Sequence, residues 1–163
     1  MTAKHPIEIF MPPNMLKAKV GGRISGVDVA AVKRAEQALD KLKTEFGEWI
    51  IDDVTKLVEA RKAYEVAQDN ETRNDLYRAS HDLRGQAMTF EYPLAARIAA
   101  SLCKLLDDQA SSIPPTLIDA HVDAIGIVVR QNMKGNGNQT ARALASELEA
   151  RVGEFLDQPG GKA

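Results

Sequence analysis

Residues 77–87 read Tyr77-Arg78-Ala79-Ser80-His81-Asp82-Leu83-Arg84-Gly85-Gln86-Ala87. The segment sits inside a helical pattern, yet a glycine follows a histidine by four residues. A glycine in a helix interior costs about 1 kcal/mol relative to alanine, so its place one turn after His81 needs a reason. On a wheel of about 100° per residue, Leu76, Ala79, Ser80, Leu83, Ala87 and Phe90 share one arc, the expected core face. His81 falls about 150° from the centre of that arc, on the water side. Asn74, Tyr77, Arg78, Arg84, Gly85 and Met88 surround it.

That placement explains the glycine. Removing the side chain at i+4 clears space beside the imidazole for another molecule to approach. Arg84 at i+3 shares the surface, and its forked guanidinium suits phosphate oxygens. An exposed nucleophilic nitrogen, open access and a nearby cation are what reversible histidine phosphorylation requires. Tyr77 and Met88 add apolar area on which a partner can dock.

The flanking sequence is helical in the same way. Val29, Val32, Ala35, Leu39, Leu42 and Phe46 recur at helical spacing, with Asp28 or Ser25 as a cap. Gly47 either breaks or bends this helix, after which Trp49-Ile50, Val54, Leu57-Val58 and Tyr64 continue the period. Residues 68–71 form a turn, with Asn70 or Thr72 capping a helix from about 72 to 90. Pro93 opens the next helix, to about Gln109, since proline suits a first turn and not an interior. Ser111-Ser112-Ile113-Pro114-Pro115 starts another, expected to end near Lys134-Gly135, and a last helix carries Ala141, Leu144, Leu148, Val152 and Phe155. Short loops between long amphipathic helices give an all-α, antiparallel up-and-down four-helix bundle with an additional N-terminal helical segment. Residues 1–26, broken by Pro6, Pro12 and Pro13, read as an irregular arm, 27–158 as the bundle and 159–163 as a flexible tail.

Composition narrows the function classes. The 163 residues are 44% hydrophobic and 27% charged but only 5% aromatic, favouring helix over sheet. A net charge of −2 gives no electrostatic case for nucleic acid or an anionic membrane. No window has the length of a membrane span, and the N-terminus lacks the apolar core of a signal peptide. One cysteine, Cys103, excludes an internal disulfide and agrees with a reducing cytosol. His121, among Leu117, Ile118, Ile125 and Val128, reads as a packed structural histidine. Lys134-Gly135-Asn136-Gly137-Asn138 lacks the Gly-Lys-Ser/Thr ending of a phosphate loop and is a turn. Asp52-Asp53 reads as a solvated pair.

His81-Asp82-Leu83-Arg84-Gly85-Gln86-Ala87 resembles the signature of histidine-containing phosphotransfer (HPt) domains: histidine, an apolar residue two on, Lys or Arg at three, glycine at four. The detailed match spans about residues 72–107. It implies a four-helix bundle that accepts a phosphoryl group from the aspartate of one receiver domain and passes it to another. By that resemblance His81 is the phosphoacceptor, Arg84 stabilises the phosphate and Gly85 provides access. Asn74, Tyr77, Arg78, Met88 and Lys104 would meet the partner. The partners would be receiver domains of response regulators or hybrid histidine kinases. No cofactor is implied on this chain, Mg²⁺ belonging to the receiver, and the chain would be a cytoplasmic, monomeric phosphoryl carrier without autonomous turnover. Arg84 stands where lysine is commoner, and Gln86 is bulkier than the usual small residue. Cys103 and Lys104 come at about the height of His81 on the facing helix, where some family members carry a glutamine.

Ser80-His81-Asp82-Leu83-Arg84 is also similar to the phosphoacceptor box of sensor histidine kinases, with Gly85-Gln86 in place of its Thr-Pro. A dimerising, kinase-derived phosphotransferase fragment therefore stands as an alternative, as does a non-catalytic helical adaptor.

Overall fold

In the computed structural model, residues 28–107 and 112–158 are described. They form five helices and no strand: α1 Val29–Ala67, α2 Asn70–Thr89, α3 Pro93–Asp107, α4 Pro115–Arg130 and α5 Gln139–Leu156. The expected arm over 1–26 and tail over 159–163 lie outside the described residues. The chain divides into two units at Lys41/Leu42. In the first, residues 28–41 begin α1, and Asp28 caps it by accepting the Ala30 N–H at 3.0 Å. All residues of this stretch are exposed, Val29, Val32 and Leu39 among them.

The second unit holds the helical bundle. Its organising element is α3, which packs on α2, α4 and α5. Ten of its residues are buried, including Leu94, Ile98, Leu102 and Leu105, because alanines at 95, 96 and 99 let neighbouring helices approach all round it. Ile50, Val54 and Leu57 bring the C-terminal part of α1 into the same core. Neighbouring helices run antiparallel, as the cross-links show. Arg73 near the start of α2 donates to the Leu106 carbonyl near the end of α3 (2.9 Å). The buried Arg61, late in α1, meets Asp119, early in α4, at 2.6 Å. Arg97 of α3 grips Glu149 of α5 through two nitrogens, at 3.0 and 2.6 Å.

Helix ends explain where expectation and structure differ. Gly47 neither breaks nor interrupts α1. The N-cap of α2 is Asp69, whose carboxylate accepts from the Thr72 N–H at 2.8 Å, rather than Asn70 or Thr72. Hydrogen bonds to the Thr72 amide and hydroxyl hold this carboxyl below its ordinary pKa. The fourth helix stops at Arg130, short of the expected Lys134-Gly135. Asn132 adopts φ 53°, and the Met133 N–H turns back to the Val128 carbonyl at 2.9 Å, a Schellman-type closure. The turn after α2 closes alike: Glu91 has φ 67° and the Tyr92 N–H bonds the Ala87 carbonyl at 2.7 Å. These two turns are tied together by Gly135 N–H to the Glu91 carbonyl (2.9 Å) and by Tyr92 Oη to Asn132 Oδ1 (2.7 Å). Asn138 caps α5, accepting the Ala141 N–H at 2.8 Å.

Candidate functional site

Helix α2 positions the histidine by burying its opposite side. Leu76, Ser80, Leu83, Ala87 and Phe90 are buried, Ala79 is half-buried, and Ser80 satisfies its hydroxyl on the Leu76 carbonyl at 2.8 Å. With that stripe committed to the core, the 3.6-residue period turns His81 outward, its side chain 61% exposed.

Around the imidazole the groups are few and specific. The Tyr77 ring, one turn earlier, lies nearly parallel to it, with centroids 6.3 Å apart and planes 21° apart. Asp82 Oδ1 stands 3.7 Å from Nδ1. Beyond its chain neighbours and the backbone of its own helix, a Cβ at Gly85 would meet no described atom within 4 Å. The opening beside His81 is therefore unneeded for packing within the chain and is available to an outside molecule.

Arg84 is exposed, and among the described residues no hydrogen bond or ion pair engages it. Its charge acts on the Cys103 thiol of α3. Burial pushes that thiol up to about 11 despite Arg84, so Cys103 is a protonated packing residue rather than a nucleophile at neutral pH. Arg78 meets Asp75 at 3.5 Å. Asn74 and Tyr77 line an open depression of about 410 Å³ with Asn70, Arg73, Leu106 and Asp107. Met88 is 61% exposed. Lys104 is exposed and shares a shallow depression with Arg97, Ser101, Glu149 and Val152, on the α5 flank of α3. The structure thus gathers Tyr77, His81, Asp82 and Gly85 on one face of α2 and joins Arg84 electrostatically to Cys103. Asp82 is the neighbour that residue typing passed over; its place beside His81 in the sequence was the available signal.

The buried histidine, His121, differs from His81 in burial and in bonding. His121 is fully buried, with Nδ1 2.7 Å from the Leu117 carbonyl and Nε2 3.0 Å from Ser101 Oγ. Nδ1 must donate to the carbonyl, so Nε2 accepts from the serine hydroxyl and the ring is held neutral. Burial lowers its pKa accordingly. Both nitrogens are occupied, which leaves His121 a structural role. Among the described residues no three His, Cys, Asp or Glu side chains gather where a metal could bind, and no helix is long and apolar enough to cross a membrane.

A family model described as the Hpt domain matches residues 32–152, well over half of the chain. No curated protein and no solved structure matches it.

Proposed function

The chain belongs to the Hpt domain family, whose members carry phosphoryl groups on histidine in phosphorelays, and from that membership we propose that His81 is the phosphoacceptor of this chain, relaying the group between receiver-domain aspartates. The observation that carries this reading is an imidazole projecting into water beside a glycine whose missing Cβ leaves open space.

The chemistry follows from the neighbours. A carboxylate near Nδ1 favours the proton on that nitrogen and the lone pair on Nε2, so Nε2 is assigned the in-line attack on phosphorus. The bond from phosphorus to the receiver's aspartyl oxygen breaks as the N–P bond forms, and the carboxylate departs with that electron pair. The proton on Nδ1 leaves the phosphohistidine cationic, and Asp82 offsets that charge. Arg84 extends toward the equatorial oxygens, whose charge is greatest in the transition state. Tyr77 limits tilting of the ring, and with Arg78, Met88 and Asn74 it forms the apolar and polar footing of the docked receiver. Lys104, on the flank toward α5, extends that footing across α3. Mg²⁺ comes with the receiver, and this chain needs no cofactor and performs no turnover alone. Transfer onward to a second receiver is the same step reversed.

The test is incubation with a receiver phosphorylated on aspartate. Acid-labile, base-stable label should appear on the wild type and be absent from His81→Gln. Label retained by that variant would reject His81 as the acceptor.

A further inference from the structure

Helix α1 carries the chain's one tryptophan, Trp49, and leaves it 53% exposed. Neighbouring rings fix its place on the second unit. Trp49 meets Phe46 edge-on with centroids 5.3 Å apart, and Phe46 stacks on Phe90, just past the end of α2, also at 5.3 Å. Phe46 and Phe90 lie almost equally far along the chain from the turn that joins α1 to α2, so the two helices run antiparallel side by side. A rise of about 1.5 Å per residue then brings Trp49 level with about residue 87 and Lys56 level with about residue 80.

The rotation of each helix is constrained as well. On α2, Arg73 and Arg84 address α3, through the Leu106 carbonyl and the field at Cys103. Asp82, Gln86 and Thr89, on the other side of the core stripe, therefore turn to α1. On α1, Phe46, Asp53 and Ala60 are half-buried, and Trp49 and Lys56 stand three residues after the first two, one step further out. Lys56 Nζ holds Asp53 at 2.9 Å, and Asp53 first, then Asp52 and Asp82 of α2, raise the lysine's pKa. Trp49 thus stands on the side of the bundle that carries His81, beyond the opening at Gly85, which the wheel turns toward α1 by about 40°. Its contact with Phe46 orders the indole in advance, so little freedom is lost on contact with another protein. The Asp53–Lys56 pair, two turns on, gives the polar rim usual around such an anchor. Continuity with His81, Gly85 and the exposed Met88 identifies the occupant. We infer that Trp49 anchors the receiver domain that docks over His81, so that the docking surface reaches across α1 as well as α2 and α3. The inference rests on His81 being the phosphoacceptor.

The test uses the full chain and a receiver domain that labels it. Fluorotryptophan incorporated into the chain gives one fluorine NMR resonance, from Trp49. Unphosphorylated receiver should shift that resonance saturably, in the wild type and equally in His81→Gln, which docks without transfer. Trp49→Ala should raise the receiver concentration for half-maximal transfer about tenfold, as loss of an anchoring side chain does. Its rate at saturation and its helical circular dichroism should be unchanged. Trp49→Phe keeps a ring and should fall between the two. Ile127→Ala, at an exposed apolar position on α4, should leave transfer as it is. A resonance that stays in place at receiver concentrations that saturate transfer overturns the inference. A half-saturation unaltered in Trp49→Ala, or raised equally in Ile127→Ala, overturns it too. Failure of the acceptor assignment reads differently: label retained by His81→Gln rejects that residue, while the resonance and the half-saturation still decide Trp49.

Discussion

Gly85 separates two demands that usually coincide, folding and function. Because its Cβ would meet no described atom beyond its chain neighbours and its own helix backbone, Gly85→Ala should leave the fold intact and raise stability by about 0.5–1 kcal/mol through helix propensity. The same methyl would stand beside the path to His81, so transfer from a phosphorylated receiver should slow. Urea denaturation and label transfer on one preparation check both halves, and a variant equally stable and equally fast would remove the access role from Gly85. His121 carries the opposite kind of prediction. Its folded pKa lies below the ordinary 6.5 because burial disfavours the imidazolium. Between the two values the unfolded chain binds more protons, so stability rises with pH there. The contribution is complete above about pH 6.5 and is lost as pH falls through the lowered folded value. Urea midpoints measured from pH 7.5 to 5 should fall in the wild type, and the part of that slope due to this residue should vanish in His121→Gln. The wheel separates these two histidines from sequence alone, since one lies off the apolar arc and the other within it. The sequence is silent on Ser101, which accommodates His121 from another helix.

Helices of this chain are read well along their length and less well at their ends. Apolar period marks the interior, where burial dominates, whereas an end depends on which local side chain reaches an unpaired amide. Asp69 rather than Asn70 or Thr72 caps α2 because its carboxylate satisfies both the Thr72 amide and hydroxyl. The end of α4 came four residues early for a different reason, one lying outside the segment. Asn132 takes the left-handed conformation that Gly135 was expected to supply, and its side chain is engaged by the distant Tyr92 hydroxyl. At the start of α5 the cap is a single hydrogen bond from the Ala141 amide to Asn138. Asn138→Ala should therefore cost about 1 kcal/mol, measured as a lowered urea midpoint with phosphoryl transfer unchanged.

For the bundle as a whole, α3 is where stability concentrates, because it touches α2, α4 and α5 and is buried nearly all round. Leu102, fully buried in this helix, should cost about 2–5 kcal/mol on replacement by alanine. In a cooperative domain the loss should appear as one shifted transition in both far-ultraviolet circular dichroism and urea midpoint. Two separate transitions would show that the helices do not unfold together. The all-helical class, the core stripe of α2 and the outward turn of His81 all follow from local periodicity, which needs only the spacing of apolar residues, whereas the continuity of α1 through Gly47 was left open by it. The family signature around His81 was legible for the same reason, being contiguous. Tertiary structure alone decided that α3 lies at the centre, that Arg61 is buried against Asp119 and that Lys104 belongs to the flank beside α5. It also decided that Val32 and Leu39, early in α1, are exposed while Ile50, Val54 and Leu57 enter the core. Each of these depends on which helix lies opposite, and the period of one helix cannot carry that information.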